Sequence, residues 1–166
     1  PRPVALGGEI TARPWFTPGH GDALSHRVAK HIGRARRRIR IASPVLTAGP
    51  ILGTLVEVVN ERRCHVAGVL DDTQSDDVFR QWARNGVSAW KIPLLHRVLE
   101  GGEFSGKTSI PWRPDSVHDF MHAKCTVADD TVFLGSFNLS RSGEANAENM
   151  LEVRDAALAE RVAGFI

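Results

Sequence analysis

The chain has 166 residues, of which 42% are hydrophobic and 24% are charged, and its formal net charge is +2. These values fit one globular domain, and no apolar run is long enough to span a membrane. Two cysteines are too few for a disulfide framework, and no Cys/His spacing typical of a metal site occurs. Because the chain begins with Pro1 rather than Met, we expect a processed form or a piece of a longer protein, whose compartment the sequence does not define.

The first part of the chain alternates between strand and helix patterns. Residues 1–8 are rich in Pro and Gly and are interpreted as an arm or linker, which leaves residues 9–166 as one domain. The predicted elements are a strand within 9–16 held at an edge by Pro14, a helix over 22–37 capped by Asp22, a strand over 38–42, a helix from Pro50, a strand over 64–70, a helix over 75–85 between Ser75 and Gly86, and a strand over 87–92. This alternation predicts an α/β domain with a largely parallel sheet.

The second part of the chain begins with a long segment that has no periodicity. Residues 101–119 are rich in Gly, Pro and Ser, and a loop of this length in a compact domain is usually functional or disordered. Strands are predicted over 121–127 and 131–134, joined by a turn at Asp129-Asp130. A strand over 150–153 and a helix over 155–166 complete the chain.

Polar side chains interrupt the predicted strand that follows the long loop. His122 and Lys124 are two residues apart, so on a strand they project from the same face. An imidazole beside an ammonium group is unfavourable unless both groups point at an anion. We therefore interpret this pair as part of an anion site.

Further hydrogen-bond donors follow within a short distance along the chain. Gly135 allows a close backbone approach, and Ser136 and Asn138 carry side chains that donate to anionic oxygens. Together with Lys124 these groups suit a phosphate, whereas a metal prefers carboxylates or several histidines. A carboxylate at Glu148 is predicted to accept a hydrogen bond from one ring nitrogen of His122 and to fix its tautomer.

These residues resemble the HKD motif of the phospholipase D superfamily. His122, Lys124 and Asp129 have its H-x-K-x4-D spacing. Its Gly-Ser-x-Asn extension corresponds to Gly135, Ser136 and Asn138, although the interval after Asp129 is one residue shorter than is usual in the family. The segment 146–149 resembles the part of the family that carries a glutamate.

The resemblance implies a phospholipase D-like half-domain with three α/β/α layers and a mixed, largely parallel sheet. It also implies a phosphodiesterase that needs no metal or other cofactor, in which two HKD motifs form one active site. One histidine forms a phosphohistidine and the other protonates the leaving oxygen, while Asp129 is more structural than reactive. Since this chain has one such motif, the second half-domain would come from a homodimer mate or from an N-terminal domain.

The sequence leaves several alternatives open. The first hypothesis is a nuclease-type hydrolase, the second is a phospholipase D or phosphatidyltransferase that acts on phospholipids, and the third is a chain that only binds phosphate. The arginine cluster over 34–40 is either a nucleic-acid or lipid contact or a solvated helix end. His118 lines the site entrance or makes an ordinary loop contact, and Trp112 and Phe120 stack a base, meet an acyl chain or anchor the loop. Asp71-Asp72 belongs to a ligand site or to a turn.

Overall fold

One eight-stranded sheet runs through the protein in a computed structural model that describes residues 1–166. The strands are β1 (Val4–Gly7), β2 (Ile10–Phe16), β3 (Arg38–Ala42), β4 (His65–Asp71), β5 (Glu103–Lys107), β6 (Cys125–Ala128), β7 (Thr131–Gly135) and β8 (Asn149–Arg154). They are arranged in the order β1-β2-β8-β7-β6-β3-β4-β5.

The sheet is mixed, as predicted, but most of its strand pairs are antiparallel. β3 pairs with β4 and β4 with β5 in parallel, whereas the other five pairings are antiparallel. The prediction of a largely parallel sheet was therefore wrong. A tight turn at Asp129-Asp130 joins β6 to β7, and a parallel pair would have required a long crossover instead.

Helices cover both faces of the sheet and produce three layers. They are α1 (Gly21–Arg34), α2 (Gly49–Glu61), α3 (Asp72–Asn85), α4 (Ile92–Gly101), α5 (Arg141–Ala145) and α6 (Ala156–Phe165). The main core includes buried residues of α1, α2 and α4. Val127 and Val132 point to the other face, where they pack against Ala159 of α6. None of the helices combines the length and the hydropathy that crossing a membrane requires.

Several predicted elements differ in the structure. Residues 1–8 are not a free arm, because β1 pairs with β2. Residues 87–92 do not form a strand; they hold a 3-10 turn at Ala89–Lys91 and the start of α4, where Pro93 occupies one of the first helical positions. The last parallel strand is β5, which lies within the predicted loop. Its residues are mostly exposed, so it lacks the apolar pattern of an interior strand.

α1 and α3 begin earlier than predicted, and their predicted caps are not formed. α1 starts at Gly21, and Asp22 lies in its first turn without capping it. A side chain at Gly21 would collide with the backbone of Glu144, because an added Cβ would lie 2.0 Å from that carbonyl oxygen. α3 begins at Asp72, and its cap is the carboxylate of Asp71 rather than Ser75.

The strand directions bring seven strand ends to one edge of the sheet. β2, β3, β4, β5 and β7 end there, and β6 and β8 begin there. The register sets Cys125 opposite Ala42 and Gly135 opposite Met150. We call this the carboxyl edge, and the other end of the same strands the amino edge. Ligand sites of α/β sheets usually lie at the carboxyl ends of parallel strands.

Candidate active site

His122 and Lys124 lie at the carboxyl edge, in a segment without regular secondary structure directly before β6. The strand begins only at Cys125, so the prediction that both residues lie within a strand was wrong. His122 is exposed, whereas Lys124 is buried with 7% of its surface accessible. Its Nζ donates a hydrogen bond to the carbonyl oxygen of His122 over 2.8 Å. Burial lowers the pKa of Lys124, and the negative charge of Glu148 opposes this shift.

The predicted donors Ser136 and Asn138 follow β7 at the same edge. Phe137 and Leu139 alternate with them and are fully buried, so their packing fixes the backbone that presents Ser136 and Asn138 at the partly exposed surface. The Oγ of Ser136 accepts the N–H of Asn149 over 3.0 Å. That hydroxyl therefore keeps its proton available for a further acceptor.

Gly135 is required here because its neighbours on β8 come very close. An added Cβ would lie 2.4 Å from the carbonyl oxygen of Asn149. The same oxygen accepts the N–H groups of Ser136 and Phe137 over 2.9 and 3.2 Å. The Gly135 N–H in turn donates to the carbonyl oxygen of Lys124 over 3.3 Å. The backbone thus ties the lysine, the serine and the start of β8 together.

Glu148 is positioned by Thr17, which sequence reasoning did not identify. The N–H of Thr17 donates to the carbonyl oxygen of Glu148, and the N–H of Glu148 donates to the hydroxyl of Thr17, both over 3.0 Å. The carboxylate is close enough to Lys124 to influence its pKa. No hydrogen bond or ion pair joins Glu148 to His122 in this structure, so the predicted contact between them is not formed.

Asp71 has a positioning role, which differs from both the ligand site and the turn predicted for Asp71-Asp72. It is completely buried at the end of β4. Its Oδ1 accepts the Ser109 hydroxyl over 2.7 Å, and its Oδ2 accepts the N–H of Met121 over 2.9 Å. Burial raises the pKa of Asp71, but hydrogen bonds from Gln74, Ser109 and Met121 outweigh it and lower the pKa overall. This carboxylate therefore anchors the residue that directly precedes His122.

We expect Asp71→Asn to lower kcat by up to about 100-fold, because a displacement of roughly 1 Å at a reacting group can have that effect. An amide in place of the carboxylate loses one of the acceptors that hold Met121 and Ser109. The matched control is Asp72→Asn, which changes the exposed neighbour. The measurement is steady-state kinetics on a phosphodiester. Equal kcat values for the two variants would contradict the positioning role.

Asp129 does not lie with the other predicted site residues, which corrects its inclusion among the catalytic residues. It occupies the β6–β7 turn at the amino edge, with a positive φ of 51°. Its carboxylate accepts the N–H groups of Arg36, Arg37 and Arg38 over 2.9, 2.9 and 3.1 Å. The four residues of β6 lie between it and Lys124, and the five residue steps of strand span roughly 16 Å. Asp129 thus joins the turn to the connection between α1 and β3.

The arginine cluster over 34–40 also lies away from the site. Arg38 begins β3 at the amino edge and forms an ion pair with Glu160, and Arg37 forms one with Asp130. The Arg40 guanidinium contacts the ring of His65. These contacts give the cluster a structural role at the amino edge, which neither a solvated helix end nor a substrate contact at the site describes.

His118 lies on the same segment as His122 and is exposed. Phe120 stands between the two histidines, with ring centroids 6.3 Å from His118 and 5.1 Å from His122. The site as a whole offers an imidazole, an ammonium, a hydroxyl and an amide. No group of three or more His, Cys, Asp or Glu side chains is placed to hold a metal ion. This set of side chains is suited to binding and attacking an anionic phosphoryl group.

The sequence profile of the family described as "Cardiolipin synthase, PLD-like domain" matches residues 28–165. The match covers most of the chain, and the chain belongs to this phospholipase D-like family. The resemblance drawn from the H-x-K and Gly-Ser-x-Asn patterns is thereby confirmed at the level of the family. A comparison with curated protein sequences finds no match.

Solved structures share the fold at low sequence identity. NucT from Helicobacter pylori is 19% identical, with a TM-score of 0.70 over 95% of this chain and 93% of that chain. Nuc from Salmonella typhimurium, a phospholipase D family member, is 22% identical, with a TM-score of 0.67 over 95% and 91%. Phosphatidylserine synthase from Haemophilus influenzae is 17% identical, with a TM-score of 0.66 over 99% of this chain but 37% of that one. These matches establish the mixed α/β fold.

Proposed function

We propose that this protein is a metal-independent phosphodiesterase that acts on nucleic acid through a phosphohistidine intermediate. The observation that carries the proposal is the buried ammonium of Lys124 beside His122, at an edge where Ser136 and Asn138 offer further donors. A buried cation without a bound carboxylate is costly, and a phosphoryl group would compensate its charge. Membership of the phospholipase D-like family supports the same chemistry.

The proposed reaction needs two histidines, one from each HKD motif. One histidine attacks phosphorus and displaces the alkoxide, to which the second histidine gives its proton. The second histidine then removes a proton from water, which attacks the phosphohistidine and releases the phosphate monoester. Lys124, Ser136 and Asn138 would hold the non-bridging oxygens, and Glu148 would orient His122 once the site is complete. His118 is proposed to line the entrance.

The chain supplies one of these histidines, so a second half-domain is part of the proposal. The exposed position of His122 at the carboxyl edge leaves room for a facing motif. The matches to NucT and Nuc extend over more than nine tenths of each chain, which supports a twin chain as the source. The match to 37% of phosphatidylserine synthase supports the rival, in which the chain is one part of a phospholipid-transferring enzyme.

The test is hydrolysis of bis(p-nitrophenyl) phosphate in EDTA, followed by single-stranded DNA, RNA and phosphatidylcholine side by side. We expect full hydrolysis in EDTA, cleavage of a nucleic acid, and binding that weakens steeply with salt as counterions are released. The active species should have twice the 18.2 kDa mass of the chain. Loss of activity in EDTA would contradict the mechanism. Turnover of phosphatidylcholine without cleavage of a nucleic acid would mean that the substrate is a phospholipid.

A further inference from the structure

A cleft of about 240 Å³ lies beside the site, between the segment 108–124 and the start of α3. Trp112 and Phe120 form aromatic walls, and Thr73, Gln74 and Asp77 contribute polar groups from the first turns of α3. Phe120 also packs edge-on against the ring of His122, at 5.1 Å between centroids. The cleft is therefore directly adjacent to the residue that would react with phosphorus.

The aromatic side chains of this segment are unusually exposed. Trp112 is 70% and Phe120 is 38% accessible, although exposure of large rings is unfavourable in water. His118 stands between them, with its centroid 6.3 Å from each ring. The four rings thus form a continuous series from Trp112 to His122. Exposed aromatic rings provide a surface on which nucleobases stack.

The cleft is held open by hydrogen bonds in the segment that carries it. The hydroxyl of Thr73 donates to the carbonyl oxygen of Ser109 over 2.7 Å and accepts its N–H over 3.1 Å. The N–H of Ile110 donates to Asp119 over 2.8 Å. A surface that is already ordered loses little conformational entropy when a ligand binds.

The polar wall favours a nucleobase over an acyl chain. Asp77 forms an ion pair with Arg80 over 2.6 Å, so its charge is compensated and would not repel a polyanion strongly. Gln74 offers an amide that can bind the polar edge of a base, whereas the Thr73 hydroxyl is already held by Ser109. An acyl chain would remove the Gln74 amide from water without replacing its hydrogen bonds, which is costly.

We propose that this cleft binds an unpaired nucleobase of a single-stranded nucleic acid, next to the phosphodiester held at His122. The inference rests on the proposed function and deepens it by naming the feature of the substrate that is recognised. The base would stack on the exposed ring of Trp112 and present its polar edge to Gln74. A duplex would not enter, since its bases are stacked on one another and paired.

The test uses protein with His122→Ala, so that the ligand is not cleaved, and measures fluorescence anisotropy of a labelled oligothymidylate. The comparison ligand is an abasic oligomer of equal length, which keeps the phosphates and lacks the bases. We expect tighter binding of oligothymidylate and a loss of about tenfold or more on Trp112→Ala, as stacking on an aromatic ring contributes on that order. Binding of the abasic oligomer should not change.

The matched control is Trp90→Ala, which removes another exposed tryptophan, 58% accessible and located beyond the far end of α3. Equal affinity of the unsubstituted cleft for the two oligomers would overturn the proposal. A Trp112→Ala variant that binds phosphatidylglycerol vesicles more weakly but oligothymidylate equally well would also overturn it. So would a change of its mass in solution, because that change would place the Trp112 ring at a subunit contact. Hydrolysis of bis(p-nitrophenyl) phosphate with His122 intact reports on the proposed function separately, so failure of the cleft is distinguishable from failure of the catalysis.

Discussion

His122→Ala is expected to lower kcat/KM for bis(p-nitrophenyl) phosphate by about 1000-fold or more, whether the lost imidazole is the nucleophile or the acid. The side chain is exposed and makes no hydrogen bond within the chain. Its removal should therefore change the midpoint of thermal unfolding by no more than about 2 °C, because replacing an exposed side chain that makes no hydrogen bond has a small effect on stability. The loss of activity would then report on chemistry rather than on folding.

The control for this substitution is His26→Ala, which removes another exposed imidazole from α1. We expect that variant to keep its full rate. Persistence of activity in the His122 variant would eliminate the catalytic assignment and, with it, the phosphohistidine. Activity that returns when imidazole is added to the His122 variant would support it, since a free base would then occupy the vacated position.

The local pattern around the site could be predicted well from the sequence. Phe137 and Leu139 are buried while Ser136 and Asn138 are partly exposed, which is the alternation expected of extended chain. Lys124 is held in place although it lies outside a strand, because its carbonyl oxygen accepts the N–H of Gly135. His122, Lys124, Ser136 and Asn138 thus lie at one edge of the sheet even where the predicted secondary structure was wrong, and their roles stay a prediction.

Contacts between distant parts of the chain could not be predicted. Asp71 and Met121 are 50 residues apart, and nothing near either residue indicates that the carboxylate meets that N–H. Asp129 has the spacing of the motif, yet its turn lies at the far end of β6. The motif is contiguous in sequence, whereas the site consists of strand ends that are brought together by the register of the sheet.

Glu152 is the position where we expect the largest effect on stability. It lies on β8 with 7% of its surface accessible. Its carboxylate accepts the indole N–H of Trp15 over 3.1 Å and two donors of Arg27, and His31 Nε2 lies 3.5 Å away. Burial raises the pKa of Glu152, but the hydrogen bonds from His31, Arg27 and Trp15 lower it to about 2. Removing one partner of such a buried pair costs about 3–5 kcal/mol.

Glu152→Gln is therefore expected to lower the free energy of unfolding at pH 7 by about 3 kcal/mol, the value of a pKa lowered from 4.5 to about 2. The contribution of the carboxylate is present above its unfolded pKa and is lost as the pH falls through the folded pKa. Denaturant unfolding of both proteins should thus give a difference that is constant from pH 7 to about 5 and shrinks toward pH 2. A difference that did not depend on pH would mean that glutamine fits the site poorly, and that the ionised carboxylate contributes nothing.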